Sequence, residues 1–262
     1  MLRSMYAGIS GMKNFQTKLD VIGNNIANVN TVGYKKGRIT FQDLLSQTSS
    51  GAMAPTGNRG GVNPVQVGLG SQIGTIDTLH TQGFRQTTNH PLDLQIEGDG
   101  YFVLQTPNGR AYTRAGNFNL DQDNNLVSAD GYYVLDSNGQ QITINNATSI
   151  SIEKNGSIII TNDQNQPENI GTIGLAVFSN PSGLEKIGGN LYLESTNSGA
   201  PNLTNPEENT AGSLISGALE MSNVDLAEEF TEMITAQRGF QANTRIITTS
   251  DEILQELVNL KR

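Results

Sequence analysis

Two histidines, His80 and His90, are the only imidazoles in the sequence, and there is no cysteine. Thiolate zinc sites, disulfide frameworks and cysteine nucleophiles are therefore excluded together. A hydrolytic triad needs a histidine between a nucleophile and a carboxylate, and no G-x-S-x-G elbow occurs to supply the serine. Neither histidine adjoins a second metal ligand, so both are expected to be satisfied surface or sheet-edge side chains. Asp121-Gln122-Asp123-Asn124-Asn125 opens like a calcium loop, with oxygen side chains at alternate positions. Its sixth position is Leu126 where the sharp turn needs Gly, and its twelfth is Tyr132 where a bidentate Glu is needed. A polar hairpin turn fits better. Gly68-Leu69-Gly70 with Gly74 misses dinucleotide spacing by one residue and lies outside any βαβ pattern. The acidic pair Glu97 and Asp99 flanks a turn, and Glu228-Glu229 falls where negative charge favours a helix N-terminus. Lys35, Lys36 and Arg38 form the one basic cluster, expected to be solvated or to bridge subunits. No catalytic residue, metal or cofactor site is expected from this set.

Composition narrows the field further. Only 35% of the 262 residues are hydrophobic and 16% charged, while Gly contributes 29, which describes a loop-rich chain of short elements. Sixteen basic against 25 acidic residues give a formal net charge of -9, which repels phosphate backbones and argues against nucleic acid as a partner. The first residues carry no apolar core of a signal peptide. Runs such as Leu175-Ala176-Val177-Phe178 are too short to span a bilayer. A cytoplasmic protein fits, as does one exported without a cleaved signal.

The organisation of the chain is helix, then sheet, then helix. Apolar residues at Leu2, Met5, Ile9, Met12, Phe15, Leu19, Ile22 and Ile26 trace one stripe of a helix ending near residue 28. Gly8, Gly11 and Gly23 each weaken that helix by about 1 kcal/mol relative to Ala, so it needs a partner. Near the C-terminus Leu226, Met233, Phe240, Ile247 and Leu254 recur every seven residues. Phe230 and Val258 occupy positions four residues on, where Gln237, Thr244 and Asp251 interrupt the seam. The pattern predicts a helix over 224–260, capped by Asn223 or by Ser222, and either paired in coiled-coil fashion or lying on its own domain.

Between the ends the period falls to two, as in Leu92-Asp93-Leu94-Gln95-Ile96, and Asn-Gly or Asp-Gly pairs punctuate the segments. The expected fold is α+β: long terminal helices pairing as a coiled coil, a central antiparallel β-domain and an extended connector. The expected division is 1–31 with 223–262 for the helices, 32–70 with 206–222 for the connector and 71–205 for the β-domain. Residues 46–70, rich in Ser, Gly and Pro, read as extended or as ordering only on assembly.

The stretch Leu19-Asp20-Val21-Ile22-Gly23-Asn24-Asn25-Ile26-Ala27-Asn28-Val29-Asn30-Thr31-Val32-Gly33-Tyr34-Lys35 resembles the N-terminal motif of bacterial flagellar rod and hook proteins. Ser222-Asn223-Val224-Asp225-Leu226, followed by Met233-Ile234 and Gln237-Arg238-Gly239-Phe240-Gln241-Ala242-Asn243, resembles their C-terminal motif. Gly98-Asp99-Gly100-Tyr101-Phe102 and Tyr112-Thr113-Arg114-Ala115-Gly116-Asn117-Phe118 resemble phrases of their β-domain. The resemblance implies a structural subunit that self-assembles into a helical tube of the flagellar axis. Its terminal helices would line the tube, with the β-domain outside. It further implies unfolded export by the flagellar type III apparatus, growth under a cap protein, and rod and hook–filament junction proteins as neighbours. The interface is then expected at Leu2, Met5, Ile9, Met12, Leu19, Ile22, Ile26, Leu226, Phe230, Met233, Phe240, Ile247, Leu254 and Val258. Asn24, Asn25, Ala27, Asn28, Thr31 and Gly33 carry the family motif. Length resembles the distal rod subunit, whereas Tyr6 to Gln16 resembles the short hook subunits of some Gram-positive bacilli. Hook is the leading expectation, distal rod the alternative within the family, and a monomeric β-domain that binds a small ligand the alternative outside it.

Overall fold

The helical period at the N-terminus produces α1, Leu2–Ala27, and the seven-residue repeat produces α2, Leu226–Leu260. The computed structural model describes residues 2–55, 57, 59–145, 149–162, 166–208 and 210–260. A turn in which Thr31 N–H donates to Asn28 O (3.2 Å) follows α1, and Gly33 then takes φ 69, a left-handed conformation that glycine adopts without strain. The cap of α2 differs from expectation. Asp225 Oδ1 accepts from Ala227 N (2.8 Å) and Glu228 N (3.4 Å), so Asp225 satisfies the first free amides. Asn223 is occupied elsewhere: its Oδ1 accepts from Lys36 N (2.7 Å) and its Nδ2 donates to Leu79 O (2.9 Å).

The chain divides into two compact units: Met1–Ile26 with Gly37–Asp77 and Asp225–Arg262, and Ala27–Lys36 with Thr78–Val224. This division departs from the expected one, because most of the segment read as connector joins the helices. In that first unit β1, Gly37–Asp43, pairs with β4, Ser71–Thr78, while β2, Ser46–Ser50, pairs antiparallel with β3, Val65–Gly68. Ser46–Ser50 and Val65–Gly68 thus pair with each other within the single chain, where composition predicts an extended segment or one that orders only on assembly. Met53 and Val62 extend this pairing with reciprocal amide bonds of 3.0 Å each. Its strand residues are all exposed, so main-chain pairing rather than a buried face holds it.

The second unit is mainly antiparallel sheet. Among the described residues nine strands form its largest sheet, built around Tyr101–Thr106, which pairs with Gly109–Thr113 in the register Phe102↔Thr113 and Leu104↔Ala111. Alternate side chains of one strand serve two cores, since both faces of this sheet are covered. Phe102 and Leu104 join Leu94, Ile96, Phe118, Leu126, Ile158 and Ile173 on one side. Tyr101 and Val103 join Tyr112, Phe178 and Tyr192 on the other. The loop read as a failed calcium site is the turn between strands Phe118–Leu120 and Leu126–Ser128, with Asn124 at φ 60. The structure is α+β, two long helices and a mainly antiparallel β-rich unit.

Candidate assembly surface

Apolar residues seven apart put one stripe on α2, but which neighbouring positions complete the seam depends on the helix it meets. Along α1, Gly8 lies against Asn243 and Ile247, Phe15 lies over Gly239, Lys18 pairs with Glu232 (3.0 Å), and Asn25 reaches Glu229 (3.2 Å). The partner numbers fall as the α1 numbers rise, so the helices run antiparallel. A Cβ on Gly8 would touch Asn243 O and Ile247 Cγ1 at 3.5 Å each, and one on Gly239 would lie 2.6 Å from the Phe15 ring. Those glycines cost helix propensity, and the close approach of α1 and α2 is what they permit. Gly23 faces open space.

The second line of the seam is three residues on from the apolar repeat, not four. Glu229, Ala236 and Ser250 are buried and Asn243 is half-buried, whereas Phe230 is 50% exposed and Val258 65%. Met233, Phe240, Ile247 and Leu254 are half-buried, and Leu226 is exposed. On α1, Ile22 is buried, Met5, Met12, Leu19 and Ile26 are half-buried, and Ile9 is exposed; the side chain of Leu2 lies outside the described residues. The sequence reading missed Asn14, which is buried and donates to Ser71 Oγ (2.9 Å). Beside this seam α2 leaves large apolar side chains exposed: Phe230 and Ile234 on one flank, Ile246 and Ile253 on the other, and Leu226 and Leu257 at the two ends of the seam lines.

Among the motif residues, Asn25 is buried and clamps the turn after α1. Its Nδ2 donates to Gly37 O and its Oδ1 accepts from Gly37 N, both at 2.9 Å, while Nδ2 also reaches Glu229 Oε2. Glu229 therefore does more than favour the helix dipole. Thr31 Oγ1 donates to Asn28 Oδ1 (3.1 Å). Gly33 donates to Glu220 O (2.8 Å), and a Cβ there would meet the Ala115 amide at 2.6 Å. Asn24 and Ala27 are exposed.

The basic cluster is not a solvated patch. Lys35 is fully buried, its Nζ donating to Glu220 Oε1 (2.6 Å) and Thr81 O (2.8 Å). Burial pushes its ammonium below the ordinary lysine range, with the Glu220 charge opposing. Arg114 Nη1 reaches Glu220 Oε2 (3.3 Å), and its guanidinium lies 5.1 Å from the Tyr101 ring centre. Arg38 alone behaves as expected, pairing with Asp77 at 3.4 Å on the surface. His80 also departs from the surface reading: its Nδ1 bonds Tyr101 Oη at 2.6 Å. Burial, with the Lys35, Lys186 and Arg114 charges, lowers its pKa to about 4. His90 lies 3.6 Å from Asp93 and is exposed. Among the described residues no three His, Asp or Glu side chains converge to hold a metal ion.

Three family models match this chain in order. Residues 5–35 match the flagella basal body rod protein model, 95–160 the flagellar hook protein FlgE/F/G D1 domain, and 215–260 the flagellar basal body rod FlgEFG protein C-terminal model. Flagellar basal-body rod protein FlgG of Bacillus subtilis is 60% identical over the whole of both chains. In Borreliella burgdorferi the chain is 40% identical to the rod protein FlgG and 30% to the hook protein FlgE, with full coverage in each case. The rod relatives thus stand nearer than the hook relative, which corrects the leading expectation of a hook. The likeness at the N-terminal motif, which ended in Asn25 and Gly33 holding turns, did not separate the two. With the helix motifs, the sheet phrases and whole-length relatives all in agreement, the chain belongs to the flagellar rod and hook family and is a structural subunit of the flagellar axis.

Proposed function

We propose that this chain is the distal rod subunit, polymerising with copies of itself into a stiff tube of the basal body. The observation that carries the reading is the whole-length identity of 60% to a rod protein, with the exposed apolar side chains along α2 in support. In this reading α1 and α2 pair as a coiled coil, and the face bearing Phe230 and Ile234 packs against neighbouring copies. The interface residues named from sequence then divide their work. Ile22, Met233, Phe240, Ile247 and Leu254 hold the helix pair, while Ile9, Leu226, Phe230 and Val258 meet other subunits. The chain leaves the cell unfolded through the flagellar export apparatus without signal cleavage, and rod and hook–filament junction proteins and a cap are its neighbours. A Gly-weakened α1 suits a segment that orders as it is buried.

The hairpin at 46–68 supports rod over hook. A hook must remake its contacts on every turn, whereas a rod must resist bending. A paired hairpin carrying Met53, 68% exposed, and Val65, 55% exposed, is a ready strut against an adjoining copy. Removing residues 1–30 and 224–262 tests the assembly role: the remaining chain stays β-rich and monomeric by sedimentation. Tube formation by that fragment would overturn the reading. Filaments of the intact protein are expected to image as straight tubes across salt and pH. Deleting 51–61 is expected to let them curve.

A further inference from the structure

The carboxylate of Glu220 has no exposure and three donors. Oε1 accepts from Lys35 Nζ at 2.6 Å and from Gly83 N at 2.9 Å, and Oε2 accepts from Arg114 Nη1 at 3.3 Å. The main chain joins in, since Glu220 O accepts from Gly33 N at 2.8 Å. Around this hub one further bond ties the same two segments, Lys36 N to Asn223 Oδ1 at 2.7 Å, while Lys186 Nζ and Asn190 Nδ2 hold Lys35 O and Val32 O, at 3.0 Å each, from the neighbouring hairpin. Arg114 is anchored on its other side to Gly98 O at 2.9 Å.

Lys35 and Glu220 are 185 residues apart, and each lies in the segment that leads out of or into a terminal helix. A buried ammonium without its carboxylate, or the reverse, is an uncompensated charge in a low-dielectric site, and breaking such a pair is strongly unfavourable. With segment 218–224 out, Lys35 is left a buried ammonium without its carboxylate, and with 30–36 out Glu220 keeps Arg114 but loses its shorter ion pair. We propose that Glu220 is a latch that makes the two segments adjoining the terminal helices order, and release, as one cooperative step. A chain delivered unfolded and completed at both ends gains from such a device, because half-ordered subunits do not persist. The latch lies within the β-rich unit and does not depend on whether the tube is rod or hook.

Hydrogen exchange by mass spectrometry on the full-length chain in solution tests it without requiring assembly. In the wild type, peptides covering 30–36 and 218–224 are expected to exchange through a common opening, at the same rate under conditions where opening is limiting. Glu220→Gln is expected to speed exchange in both peptides on the order of a hundredfold, while 101–113 keeps its protection. The decisive variant is Lys35→Met, a change in one segment that should release the other. A core variant such as Ile158→Val, which loosens the sheet without touching the latch, should not release either segment selectively. Acceleration confined to the mutated segment would overturn the proposal. If a variant fails to fold, the wild-type comparison decides alone: different limiting rates for the two peptides overturn the latch, and equal ones support it.

Discussion

The two units of this chain satisfy their apolar residues to different degrees. In the β-rich unit, Leu94, Ile96, Phe102, Val103, Phe118, Leu126 and Ile173 are all within 1% of complete burial. In the helical unit, Ile22 and Ala236 are the buried hydrophobic side chains among the described residues, while Phe230, Ile234, Ile246, Ile253 and Leu257 stand open. One region is closed by its own sequence; the other keeps large apolar side chains exposed, which in the function proposed above are covered by further copies of the chain. The difference teaches where stability and assembly reside. Substitutions in the sheet should be felt by the single chain, and substitutions on the outer face of α2 should be felt only by the polymer.

The largest effect on the single chain is expected at Phe102, which packs edge-on against Phe118 with ring centres 5.0 Å apart. Phe102→Ala should cost about 3–5 kcal/mol in urea unfolding followed by circular dichroism, because it removes a buried ring and leaves a cavity. A loss below about 1 kcal/mol would mean the sheet core repacks freely and that the contrast between the units is overstated.

The two regions were also unequally legible. The sheet was read from alternation and from Asn-Gly and Asp-Gly turns, both local signals, and Gly131, Gly139 and Gly156 do take positive φ. The seven-residue repeat of α2 was equally plain. Its companion line was not, because Glu229, Ala236, Asn243 and Ser250 are acidic, small or polar, and their fit depends on the facing helix: Gly8 and Gly11 lie against Asn243, and Asn25 bonds Glu229. Phe230 and Val258 drew attention as the large apolar residues nearby, and they are exposed. The hairpin at 46–68 had no apolar alternation to betray it, since Ser46-Gln47-Thr48-Ser49-Ser50 pairs through main chain. Lys35 looked solvated beside Lys36 and Arg38 because Glu220 lies too far along the chain for any spacing rule. For hook against rod, a short motif pointed one way while similarity along the whole chain pointed the other.

A smaller effect is expected from acid, and again only in the β-rich unit. His80 bonds Tyr101 and faces the cationic Lys35, Lys186 and Arg114, so it stays neutral in the folded chain until about pH 4, against 6.5 when unfolded. Between those values the unfolded chain binds a proton that the folded chain does not. The stability tied to neutral His80 is therefore complete above pH 6.5 and declines as pH falls toward 4, by at most about 3 kcal/mol. Unfolding at pH 7 and pH 4.5 should show a steeper loss in the wild type than in His80→Gln. Equal slopes would mean that the imidazole is protonated without penalty.

The smallest effect on the chain itself is expected at the outer face of α2, and it is the sharpest test of the contrast. Phe230 is 50% exposed and Ile234 59%, so neither contributes a closed contact to the single subunit. Replacing both with Ser removes apolar surface that is already in water, and such changes lie within about 0.5 kcal/mol of neutral. Helix propensity falls by a few tenths of a kcal/mol at most, because Phe, Ile and Ser have similar intrinsic preferences. In the polymer the same side chains would be buried, each worth about 1.5–3 kcal/mol. That loss recurs at every subunit contact, so a chain of ordinary stability should fail to form tubes at concentrations where the wild type does. Phe240→Asp, on the half-buried line facing α1, should also block assembly, but with a measurable loss of helix content in the monomer. Turbidity and electron microscopy read assembly, and circular dichroism reads the monomer. Normal tubes from the Phe230→Ser, Ile234→Ser chain would show that this face looks into solvent in the rod and that the subunits meet elsewhere.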